Sequence, residues 1–320
     1  MTPLIRRRVA VACCGALTGG LALGAAWWAT TRYARDLARE SAVTVSTYLG
    51  VAAPAAQGSA DYDLPQFLIQ ARALATLLGP SRAEVFHGTA PLVDAVASPL
   101  APAVLERLRR EETTLEDGDG ALAPLFDRDG WEVVGAVRIP RPRLAGPWWN
   151  WMLGVLFLIT IALSGFWVRT AGAGRPDAER RALASYTCAA FLLGCAAYLE
   201  VRTVAKRATD QWLADTKALV QEAATRFPGG LGIDEVAVLA RGGELVQSDN
   251  VPQRRTRRRV RGVVMGIAAV RMGSGRWAEL RRPAEEAAPN GWLICVIGLT
   301  LLGPAGAGIV TSRAASTPPG

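Results

Sequence analysis

Histidine is almost absent from this chain, and lysine nearly so. The single histidine, His87 in EVFHGTAP, has no second histidine or cysteine near it. It therefore heads no cluster of metal donors, and no nucleophile–base pair can be assembled around it. It reads as a strand-end histidine. Lys206 and Lys217 are the only lysines, so thirty-four of the 36 basic residues are arginines. With abundant Ala and Gly, this is the composition of a GC-rich genome. The net charge of +8 and the pI near 9.8 then say less about a polyanionic partner than they would otherwise. All five cysteines (Cys13, Cys14, Cys188, Cys195, Cys295) lie in apolar runs, where cysteine behaves as a small hydrophobe. No disulfide framework or zinc-knuckle spacing is present. The acidic EDGDG, Glu116 to Gly120, lacks the alternating ligands and closing Glu of a calcium loop. GAGRP, 172–176, is a short connector and not a phosphate loop, because no Lys-Ser/Thr follows. These absences point away from an enzyme, a metal site and a cofactor.

Long apolar runs, by contrast, are plentiful. Half of the 320 residues are hydrophobic although a fifth are charged, which implies segregation into apolar spans and charged globular pieces. Crossing a hydrocarbon core takes about 20 helical residues. Four runs meet or approach that length: 9–29, 147–168, 182–199 and 291–310. Trp27, Trp28, Trp148, Trp149, Trp151, Trp167 and Trp292 fall at or near their ends, the headgroup level that indole rings favour. The first run exceeds the roughly 7–15 apolar residues of a cleavable signal and reads as an uncleaved anchor. Arg6, Arg7 and Arg8 precede it. Arg169, Arg175, Arg180 and Arg181 lie in the short 169–181 segment, and Arg313 in the tail. By the positive-inside rule these segments are expected in the cytoplasm. Segments 30–146 and 200–290 are then expected outside a bacterial inner membrane, with both termini (1–8 and 311–320) inside.

The two long loops share a plan. Each begins with a helix that continues out of its span, TRYARDLARESAVTVSTYLG in the first and EVRTVAKRATDQWLADTKALVQEAATRF in the second. Val201, Ala205, Ala208, Trp212, Leu219 and Ala223 recur at helical spacing; the first segment is less regular because VTVSTY is β-branched. Each loop then reaches a strand–turn–strand, Leu122 to Pro140 around Asp129-Gly130 and Asp234 to Ser248 around Gly242-Gly243. Loop two adds a second hairpin around residues 273–275. Loop one inserts two helix-like pieces, LPQFLIQARALATLL and PAVLERLRREETTLE. The expected fold class is an α+β membrane protein: four transmembrane helices and two extracytoplasmic α+β domains related by imperfect duplication.

On the residues VAVLARGGELVQSDN, Val236 to Asn250, and PLFDRDGWEVVGAVRIP, Pro124 to Pro140, this plan resembles the extracytoplasmic PAS-like (Cache or PDC) sensor regions of bacterial chemoreceptors and sensor kinases. The resemblance implies a sensor input made of a long helix, an antiparallel sheet and a return into the next span. The chain departs from that family in having no HAMP-like linker after the last span, no phosphoacceptor helix and no ATP lid. The output is then expected on a separate protein. The rival expectation is an accessory or scaffold subunit of a larger membrane complex, docking through its loops. A transporter is disfavoured because the four runs contain no ionisable acidic or basic residue.

Two further features carry candidate contacts. Gly15 and Gly19, then Gly20 and Gly24, form overlapping G-x-x-x-G spacings that let helices approach closely in lipid. QRRTRRRVRG, 253–262, holds Arg254, Arg255, Arg257, Arg258, Arg259 and Arg261, and is expected to form the entrance of an apolar strand running to Met265. It is either a solvated edge whose like charges discourage pairing or a contact for anionic headgroups or an acidic protein partner. Nucleic acid is excluded by the expected outside location. Residues 31–146 carry 12 basic and 15 acidic groups, net −3, and residues 200–289 carry 16 and 11, net +5, so the loops are of opposite sign.

Overall fold

The structure is a computed structural model that describes residues 3–55, 83–92, 98–118, 120–126, 132–170, 175–226, 243–248, 257–260, 263–271, 277–284 and 290–315. Within them are five helices, α1 (Pro3–Ala55), α2 (Pro102–Glu111), α3 (Pro147–Thr170), α4 (Pro176–Arg226) and α5 (Asn290–Ala315). The strands are β1 (Glu84–His87), β2 (Ala90–Pro91), β3 (Leu115–Asp117), β4 (Gly120–Phe126), β5 (Val133–Pro140), β6 (Glu244–Ser248), β7 (Arg257–Val260), β8 (Val263–Arg271) and β9 (Trp277–Pro283). The chain divides into an apolar unit, residues 1–32, 144–205 and 285–320, and an α+β unit, residues 33–143 and 206–284. Both long loops thus contribute to one α+β unit, each with its own sheet.

Four helices, α1, α3, α4 and α5, are long and apolar enough to cross a membrane. In the apolar unit, α1 buries Gly15, Gly19, Ala22, Ala26 and Ala29. Steps of four and three residues keep this stripe on one side of the helix, and its small side chains admit neighbouring backbones. A Cβ on Gly15 would lie 3.1 Å from the Gly303 Cα of α5 and would collide with the Tyr186 hydroxyl of α4. Gly19 faces Phe157 of α3 and Leu193 of α4, whereas Gly20 reaches only the Phe157 ring at 3.9 Å and Gly24 has nothing within 4 Å. The first G-x-x-x-G spacing therefore lies at a three-helix contact and the second does not. Trp167, placed by its position at the end of a span among the interfacial indoles, is instead fully buried with Ala182, Tyr186 and Ala307. Trp148 and Trp151 are highly exposed. Helix α4 begins at Pro176, six residues before its apolar run, with Asp177 and Glu179 in the first turn. Proline and acids favour that end of a helix. Glu179 lies 3.4 Å from the buried Arg8 of α1.

In the α+β unit, the first sheet has the order β2-β1-β5-β4-β3, antiparallel throughout. One face bears Phe86, Leu115, Leu122 and Ala136, which pack with Leu105 and Leu108 of α2. The other bears Val85, Ala121, Ala123, Val137 and Ile139, all buried. Helix α1 contributes Arg35 and Arg39 to Glu116 of β3, and Ser46 donates to the Pro124 carbonyl of β4. Burial on both faces explains why β4 reads as a continuous apolar run rather than an alternating one. The β-branched VTVSTY segment stays helical because Ala42, Val45, Tyr48 and Leu49 are all buried, so packing overrides local propensity.

The second sheet has the order β6-β9-β8-β7. The β8–β9 hairpin expected around residues 273–275 is present. The β4–β5 hairpin is also present, its turn lying outside the described residues. The earlier strand expected at 236–240 and the helix-like piece at 64–78 likewise lie outside them. Arg257 to Met265 is not one strand: Arg257–Val260 forms β7, which pairs back onto β8 with Val260 opposite Val263. Residues 261 and 262, between the two strands, lie outside the described residues.

Because Gly303 would place a Cβ 2.5 Å from the Gly15 Cα, Gly303→Ala should destabilise the helix bundle by about 1–3 kcal/mol through overpacking. Gly24→Ala should leave it within about 0.5 kcal/mol. Unfolding of both variants in detergent measures the difference, and equal behaviour would show that the three-helix contact does not form.

Candidate functional site: a cavity between two long helices beside a buried arginine

The strand WAELRRP buries alternate residues, Ala278, Leu280 and Arg282. Period-two alternation thus turns an arginine onto an otherwise apolar face. That face meets the outer part of α4: a Cβ on Gly266 of β8 would touch Leu213 and Thr209, and Gly243 sits against the Trp212 ring. Arg282 lies over the Trp212 ring at 4.8 Å, and its Nη1 donates to Glu40 Oε2 of α1 at 2.5 Å. An uncompensated buried guanidinium would cost several kcal/mol. Here a carboxylate from one loop and an indole face from the other compensate it. Full burial of Trp212 contributes up to roughly 4–6 kcal/mol by area, and the cation–π contact adds about 1–2 kcal/mol.

Beside this cluster is a cavity of about 670 Å³, within the roughly 300–1,000 Å³ usual for small-molecule sites. Helix α1 supplies Leu37, Ala38, Ser41, Thr44 and Val45; α4 supplies Gln211, Trp212, Asp215, Thr216 and Leu219. Both sets follow helical steps of one, three and four, so each is one helix face. The third wall is the end of β5 and the chain just after it, Ile139, Pro140, Arg141, Pro142 and Arg143. Apolar groups make the body of the cavity, and hydroxyls, an amide, one carboxylate and two guanidiniums punctuate it. Thr44 already donates to the Glu40 carbonyl within its own helix at 2.8 Å.

The residues singled out by motif lie elsewhere. Arg257, Arg258 and Arg259 occupy β7, at the edge of the second sheet; Arg254, Arg255 and Arg261 lie outside the described residues. His87 ends β1. Sequence reasoning missed Glu40, Arg141 and Arg282. For Arg282 a signal existed, since alternation puts it in register with Ala278 and Leu280. For Trp212 the helical stripe was visible, but its partner on β9 was not. No family model, curated protein or solved structure matches the chain.

Removing one partner from the Arg282 cluster leaves the other buried and underpaired. Glu40→Met should lower the stability of the α+β unit by about 1–3 kcal/mol, and Glu40→Met with Arg282→Met should recover part of that loss. A double-mutant cycle on unfolding free energies would test it; strictly additive losses would mean the pair is not coupled.

Proposed function

We propose that the chain is a bacterial inner-membrane protein of the sensor type. Its two long loops would face outward as PAS-like domains, detect a small ligand or partner, and pass the signal through helix packing to a separate output protein. The cavity carries this reading. Two of its walls are faces of α1 and α4, and each of these is a single unbroken helix that also contributes a membrane-length apolar segment. An occupant that altered the spacing of those faces would bias the packing of the same two helices at Gly15 and Tyr186. Bistable helix contacts of that kind are how small shifts at an input become discrete outputs. The antiparallel sheet that lies against a long helix and returns through β5 into α3 is also in keeping with the sensor plan.

One observation favours the accessory-subunit reading as a second possibility. The arginine strand β7 is the last strand of its sheet, with one neighbour among the described residues, and this reading would set it against an acidic partner or anionic headgroups. In that case Arg257, Arg258 and Arg259 would supply the charge, and the lipid bilayer and a protein would be the partners. No nucleic acid is invoked, because this reading puts the run outside the cytoplasm.

Two measurements separate these readings from failure. A topology reporter fused at residue 255 should report the outside; a cytoplasmic signal would overturn the sensor reading. Replacing Arg257, Arg258 and Arg259 with Gln should reduce co-purification of any stoichiometric membrane partner at low salt, with little further change at high salt. Unchanged co-purification at low salt would remove β7 from consideration as the docking strand.

A further inference from the structure

Charge on the cavity wall is unevenly spent. Several arginines of the α+β unit's described residues face a carboxylate: Arg35 and Arg39 share Glu116, Arg138 bridges Glu84 and Asp117, and Arg282 holds Glu40. Arg141 and Arg143, both lining the cavity, have no carboxylate partner among the described residues. The polar contact of Arg141 is one long bond from Nη2 to the Gly118 carbonyl at 3.5 Å, and its Nε is buried without an acceptor. Such a guanidinium has hydrogen-bonding capacity that water or a ligand must meet. Among the described residues, the other charged group on the wall is Asp215, which is engaged in an interaction of its own. Two cations against one engaged anion leave the site positive, while Leu37, Val45, Ile139, Trp212 and Leu219 make its body apolar.

We infer that the cavity binds a small organic monoanion, a carboxylic acid with an aromatic or branched apolar body. Arg141 holds the carboxylate, Arg143 adds attraction from the rim, and the Trp212 and Leu219 side holds the apolar body. Arginine suits this role because its planar fork matches a carboxylate in two parallel bonds. Asp215 acts against a second negative charge, so dianions are rejected. The inference rests on reading the cavity as the input site.

The test uses the full chain in nanodiscs and isothermal titration with benzoate and 4-methylpentanoate, set against their neutral isosteres benzamide and 4-methylpentanamide. The carboxylates should bind at least about tenfold more tightly than the amides, with the preference shrinking as salt rises. Arg141→Gln should abolish the preference, and Arg143→Gln, at an exposed position tolerant of change, should reduce it. Equal affinity for acid and amide would overturn the inference, and so would a full preference retained in folded Arg141→Gln protein or the absence of binding by either acid. Should Arg141→Gln not fold, an Arg143→Gln variant with an undiminished, salt-independent preference would overturn it as well. Hydrogen exchange in α3 and α5 read with and without benzoate keeps the two readings distinct. Binding that leaves that exchange unchanged would sink the signalling role and leave the ligand class standing.

Discussion

A guanidinium can be buried only if something repays its lost hydration, and Arg282 shows what repays it here. The carboxylate comes from α1, the indole face from α4, and the arginine itself from β9. The charge is compensated only when segments more than two hundred residues apart in the chain come together. That requirement links the first loop to the second, consistent with the two loops forming one compact α+β unit. The cavity follows from the same arrangement. Once the Arg282 cluster sets α1 and α4 beside each other, the helix faces around Ser41 and Asp215 border a space that the end of β5 closes on a third side.

The apolar unit obeys a different constraint. Its helices α1, α3, α4 and α5 are long and apolar enough to cross a membrane; in lipid, hydrophobicity alone would not drive one such helix against another, and close backbone packing would have to do so. The Gly15–Tyr186–Gly303 contact does this with two glycines and one large ring. It also accounts for the burial of Trp167 among Ala182, Tyr186 and Ala307. An indole finds its place by the space available to it, and small neighbours on α4 and α5 make that space. Trp148 and Trp151 instead remain exposed.

Much of the secondary structure was legible, for reasons that differ by element. The apolar helices announced themselves by length, and α2 by Pro102 at its start and the Leu105/Leu108 pair on one face, but the helix-like piece expected over 102–116 ends at Glu111 and its Leu115 and Glu116 belong to β3. The β8–β9 hairpin showed in its glycine-rich interruption. The helical state of VTVSTY was less clear, because β-branched residues favour strands locally and only the tertiary burial of Val45, Tyr48 and Leu49 decides the matter. The arginine run misled in a similar way. Arg257 to Met265 looks like one strand because nothing in its composition marks a reversal except Gly262, and pairing with β8 is what divides it.

By itself, the sequence determined where the membrane-length helices lie, which faces of them are small, and that ionisable residues stay out of the apolar runs. These are local properties of composition and period. Only the tertiary structure decided that Arg282 meets Glu40 and Trp212, and that Arg141 borders a cavity with no carboxylate paired to it among the described residues. Such facts depend on long-range pairings, and a charge carries no mark in the sequence of whether its partner is present. The same holds for Gly15 and Gly24: both fit a G-x-x-x-G spacing, and only the position of α5 distinguishes a packed glycine from an open one.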